Sequence, residues 1–99
     1  MKAFEYNAGA PAEFVARVQG VLAERGLAEY VNLRCEGDEL VVVFKWMGSS
    51  ELRYRISEIG AGFRADPSGE NMSPFHSPFR HQFEDRFEQV VGAVGARVV

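Results

Sequence analysis

Histidine occurs twice in this chain, at His76 and His81, and both fall within NMSPFHSPFRHQFEDRFEQVV, residues 71–91. Glu84 and Asp85 follow closely. On a helix, His81 and Asp85 stand one turn apart on the same face with Glu84 beside them, so imidazole and carboxylate could share a metal ion. The ligand set is short, however. A structural zinc site needs a full tetrahedral set, largely Cys or His, and only His76 from the preceding loop is left to join. With a single cysteine in the chain the paired-Cys signature of a zinc site is absent, so the group reads as a helix face carrying a His–carboxylate pair, and no metal or other cofactor is expected.

Nucleophilic chemistry fares no better. The sequence has no nucleophile elbow, no Cys–His pair at a known spacing and no signature of paired catalytic carboxylates. Cys35 falls on the apolar side of its strand, where a thiol behaves as a small hydrophobe. Gly60-Ala61-Gly62 lacks the rest of a phosphate-binding fingerprint and opens no helix. The chain therefore reads as non-enzymatic.

The elements that hold these residues emerge from hydrophobic periodicity. Residues 2–7 alternate weakly as a first strand. Pro11 suits the first position of a helix, Glu13 complements its dipole, and Phe14, Val15, Val18, Val21 and Leu22 recur at helical spacing before Gly26, which predicts a helix over 11–25. Val31, Leu33 and Cys35 then alternate with Asn32, Arg34 and Glu36. After a turn at Gly37-Asp38, Leu40, Val42, Phe44 and Trp46 share one face of a second strand. After another turn at Gly48-Ser49-Ser50, Leu52, Tyr54 and Ile56 alternate with Arg53 and Arg55, completing a three-stranded antiparallel meander.

Past Ile56 the phase slips: Ile59, Ala61, Phe63 and Ala65 are odd-numbered. Either a bulge shifts one long strand, or Gly60 and Gly62 turn the chain into a fourth strand, which is the preferred reading. Asp66-Pro67-Ser68-Gly69 matches a type I turn at every position. Ser77 suits an N-cap and Pro78 a first helical residue, so a second helix is predicted over 78–94, with Phe79, Phe83, Phe87, Val90, Val91 and Val94 as its apolar stripe. Phe75 would act as a lid or staple on that face.

These elements imply one α+β domain spanning residues 1–99, an antiparallel sheet of four to five strands in the order β-α-β-β-β-(β)-α with two helices packed on one face. A chain of 99 residues with 46% hydrophobic and 25% charged residues supports one modest core. One cysteine allows no internal disulfide. No apolar run is long enough to span a bilayer and the start of the chain has no signal-peptide pattern, so a cytoplasmic location is expected.

Two binding surfaces follow. The sheet face away from the helices should show Asn32, Arg34, Val41, Val43, Lys45, Met47, Arg53 and Arg55, cations interleaved with apolar side chains. Such a surface suits a protein partner or a second copy in a homodimer, with Arg34, Val41, Val43, Lys45, Arg53 and Arg55 as its contacts. A small hydrophobic ligand held between the last helix and the sheet, facing Phe75, Phe79, Phe83 and Phe87, is the alternative. A net charge of −3 and an outward row short of aromatics argue against nucleic acid.

The order of elements resembles TATA-binding-protein-like and small helix-grip folds, in which a curved sheet wraps a long C-terminal helix. Gly37-Asp38-Glu39-Leu40 at a turn into a strand, and Ser77-Pro78-Phe79-Arg80 at the entry to the last helix, also resemble small bacterial proteins of the polyhydroxyalkanoate system. That resemblance would imply granule association rather than catalysis.

Overall fold

The computed structural model describes residues 2–99. Along the chain run β1 (Phe4–Tyr6), α1 (Pro11–Glu24), β2 (Val31–Glu36), β3 (Glu39–Lys45), β4 (Ser49–Ile59), β5 (Gly62–Asn71), a 3₁₀ turn (Ser77–Phe79), α2 (Arg80–Ala93) and β6 (Arg97–Val98). The strands make one antiparallel sheet in the order β2-β3-β4-β5-β1-β6. The architecture is α+β with two helices against the sheet, and the sheet has six strands where four to five were anticipated. The additional strand is β6, a two-residue pairing (Phe4↔Val98, Glu5↔Arg97) too short to leave a periodic signal.

Both helices end the same way. Gly26 takes φ +71° and Gly95 φ +91°. The N–H of Leu27 reaches the carbonyl of Leu22 at 2.8 Å, and the N–H of Ala96 reaches that of Val91 at 3.2 Å. These are Schellman closures, in which a left-handed glycine turns the chain back over the last carbonyls. The buried stripe of α1 (Phe14, Val18, Leu22) and that of α2 (Phe87, Val90, Val91) join one cluster with the inward residues of the sheet. Phe4 is its hub. Its ring lies 5.3 Å from Phe14, 5.2 Å from Tyr54 and 6.2 Å from each of Phe63 and Phe87.

Gly60-Ala61 turns the chain from β4 into a separate β5, in register from Ile59↔Gly62. Asp66-Pro67-Ser68-Gly69 forms no turn; it lies inside β5. The pairing runs Tyr54↔Pro67 and then Arg53↔Gly69, which leaves Ser68 as the extra residue of a bulge. β1 pairs only with Phe63, Arg64 and Ala65, so Pro67 sits where that side of β5 has no neighbour and its missing N–H costs nothing.

Trp46 is not inward. β3 ends at Lys45, Lys45 pairs with Ser49, and Trp46-Met47-Gly48 is the loop, with Met47 held at φ +51°. Ser77 and Pro78 do not cap an α-helix either: they belong to the 3₁₀ turn, and α2 starts at Arg80 without a side-chain cap. A 3₁₀ turn advances by a smaller residue count per turn than an α-helix, which rotates Phe79 off the α2 stripe and leaves it 41% exposed.

Candidate functional site

The C-terminal half of α1, the far end of the β2–β3 hairpin and α2 do not close on one another, and a half-open groove of about 400 Å³ lies between them. From α1 and the turn after it come Leu22 and Leu27. The sheet contributes Val31 and Phe44, and α2 contributes Phe83, Phe87 and Val90. Phe44 and Phe83 stack at 5.1 Å with their planes 28° apart. Tyr30 and Trp46, both about half exposed, stand at the mouth. The only charged side chains in the lining are Lys45 and Arg86. A smaller hollow of about 170 Å³ adjoins it, sharing Leu27, Arg86 and Val90 and adding Arg25 and Gln89.

The groove exists because of how α1 ends. Its Schellman closure sends Leu27 back toward the core, and the N–H groups of Tyr30 and Val31 bond the Leu27 carbonyl at 2.9 and 3.0 Å. That compact turn spans from helix to sheet edge without filling the space beneath it. Of the four phenylalanines anticipated to face a ligand, Phe83 and Phe87 line the groove, whereas Phe75 (64% exposed) and Phe79 lie outside it. The α1 side of the wall was not anticipated. Leu27 and Tyr30 stand in a stretch with no period that would have marked them.

Beside the mouth, His76 is fully buried and both ring nitrogens are occupied. A carbonyl can only accept, so Nε2 carries the proton and donates it to the carbonyl of Trp46. In the neutral ring Nδ1 is then an acceptor, and the Ser50 hydroxyl donates to it at 2.6 Å while accepting the N–H of Ser73 at 2.8 Å. The His76 N–H in turn bonds the carbonyl of Ser73 at 2.9 Å. A Ser–His pair invites a hydrolytic reading, yet Ser50 is 1% exposed and its oxygen already makes both bonds. The pair works as a latch, tying the Trp46–Gly48 loop to the approach of α2. The Trp46 ring stacks on the imidazole at 6.4 Å, and the Phe79 ring meets the Trp46 ring edge-on at 6.5 Å.

His81 is 93% exposed and 3.9 Å from Glu84, so the two histidines do not meet. Among the described residues no group of three or more His, Cys, Asp or Glu is placed to hold a metal ion. Cys35 lies near the turn that joins β2 to β3 and is exposed rather than covered. Partial desolvation nevertheless pushes its thiol up.

On the opposite sheet face, Arg34, Val41 and Arg53 stand side by side across three strands, as do Asn32, Val43 and Glu51. The cations there are met by acids. Arg53 reaches Glu36 at 3.3 Å, Glu39 at 3.4 Å and Glu51 at 3.2 Å, and Arg34 reaches Glu36 at 2.8 Å. The bond from Arg34 holds the Glu36 carboxyl below its ordinary range. Under this lattice Val41 is fully buried and Val43 is 4% exposed. Arg55 pairs with Asp38 at 3.2 Å. Lys45 and Met47 are exposed at the end of the hairpin. No helix among the described residues is long and apolar enough to cross a membrane. Comparison with family models, curated proteins and solved structures finds no match to this chain.

Proposed function

We propose that this chain binds a small apolar molecule in the groove between α1, α2 and the β2–β3 hairpin. The observation that carries the reading is a concavity of about 400 Å³ walled by Leu22, Leu27, Val31, Phe44, Phe83 and Val90, a size and lining typical of ligand sites. In a domain of 99 residues the same side chains, drawn together, would bury more apolar surface; leaving them around an open space forgoes that stabilisation. A ligand restores it. The sheet-face reading draws less support, because Arg34 and Arg53 are already engaged by Glu36, Glu39 and Glu51 and the two valines beneath them offer little area to a partner.

Titration with the neutral probe N-phenyl-1-naphthylamine tests this. Its fluorescence is expected to rise at micromolar protein, and Val31→Trp, which fills the groove from a half-buried position, is expected to abolish the rise while thermal unfolding stays cooperative. Arg53→Glu should leave the titration unchanged. A wild-type protein that does not brighten the probe, or a Val31→Trp variant that brightens it equally, sinks the reading.

A further inference from the structure

We infer that the molecule held in the groove is an anionic amphiphile, its apolar part in the large chamber and its negatively charged head, of carboxylate class, in the adjoining hollow against Arg25 and Arg86. The inference rests on the groove reading and adds the chemistry of the head. Across both cavities the charged lining is Lys45, Arg86 and Arg25; no Asp or Glu lines either one. The chain as a whole carries more acids than bases, 14 against 11, so a lining with cations alone departs from its average surface.

The arginines elsewhere sharpen the contrast. Arg34, Arg53, Arg55, Arg64, Arg80 and Arg97 each hold a carboxylate, at 2.8 to 3.2 Å for the shortest contact of each. Among the described residues three arginines, Arg17, Arg25 and Arg86, form no ion pair, and the last two line the hollow together. Arg25 projects from the C-terminal end of α1 and Arg86 from the middle of α2. A guanidinium presents a planar fork of donors that matches a carboxylate, and Gln89 beside them adds a neutral donor. Leu27, Arg86 and Val90 border both spaces, so a head between the two arginines continues directly into a tail among Leu22, Phe83 and Phe87. Complementarity of charge sets the orientation, and the apolar chamber supplies the affinity.

The experiment is competition against N-phenyl-1-naphthylamine by laurate, lauryl alcohol and laurylamine, which share one tail, each below its micelle threshold. Laurate is expected to displace the probe roughly 10-fold more tightly than the alcohol, the order expected for a charge-assisted hydrogen bond, and the amine most weakly. In Arg25→Gln with Arg86→Gln, both at exposed positions, laurate should fall to the level of the alcohol, read as the ratio of the two displacement constants within the same variant. Thermal melting confirms that the variant is folded, and Arg86→Lys should retain part of the preference. Equal displacement by laurate and the alcohol, or a preference that survives the double variant, overturns the head-group assignment and leaves the groove reading intact. Failure of the probe to bind wild-type protein overturns both, and a dimer mass in that sample would assign the groove to a second copy of the chain.

Discussion

Tyr54 is 2% exposed, its ring between Phe4 at 5.2 Å and Phe87 at 5.9 Å. Burial pushes its phenol well above the ordinary value, and the charges of Glu88 and Glu84 push it further. The unfolded chain therefore loses this proton first as pH rises. The stability due to the neutral phenol is complete below the ordinary tyrosine pKa of about 10 and declines as pH climbs above it. Urea unfolding should show a level midpoint up to about pH 9 and a falling one toward about pH 11, with a shallower fall in Tyr54→Phe; parallel falls would contradict this role. Tyr54 was legible as inward because its strand alternates. The use of His76 was not, since a latch between two loops leaves no period in the sequence, and His76 with His81 had looked only like neighbours on a helix entrance.

Among the elements, β5 meets β1 through a glycine. A Cβ on Gly62 would lie 1.8 Å from the Tyr6 carbonyl oxygen and 2.7 Å from Asn7 Cα, both backbone atoms that cannot step aside. Gly60, in the turn before it, has φ +53° and open space around its Cα. Gly60→Ala should thus cost about 1 kcal/mol for its left-handed conformation, and Gly62→Ala about 3 kcal/mol or more for a clash between strands. Chemical denaturation of the pair checks this, and equal losses would remove the case for close approach. The helices and the β2–β4 meander were readable because each has a clean apolar period facing one core. Asp66–Gly69 misled because its turn chemistry is local, whereas pairing of β5 along the whole of β4 decides its conformation. Ser77-Pro78 misled in the same way: Ser77 caps nothing, its N–H instead bonding the Ser73 carbonyl at 3.0 Å within the turn that carries His76. The groove was half legible, in Phe83 and Phe87, because a stripe of phenylalanines announces an apolar face but not whether that face will be covered.

For the whole molecule, the position of β1 between β5 and β6 sets a timetable. The meander joins partners close in sequence, such as Glu36↔Glu39 and Lys45↔Ser49, and so closes small loops. β1 must instead find Ala65 and Val98 from Phe4, contacts that close much of the chain and carry a larger entropy cost. The meander should therefore be assembled in the folding transition state and β1 should dock after it, bringing the Phe4 ring into the cluster last. Stopped-flow kinetics on Leu52→Ala is expected to show chiefly slower folding, and on Phe4→Leu chiefly faster unfolding; the reverse partition would place β1 in the nucleus. Because Phe4 touches rings from α1, β4, β5 and α2, a late β1 leaves the whole aromatic centre unkeyed until the final step. A chain stalled there would have its sheet formed, its helices loosely placed and its greasiest surface open to other chains, so the lifetime of that species, rather than the equilibrium stability, would govern how well the protein survives its own synthesis.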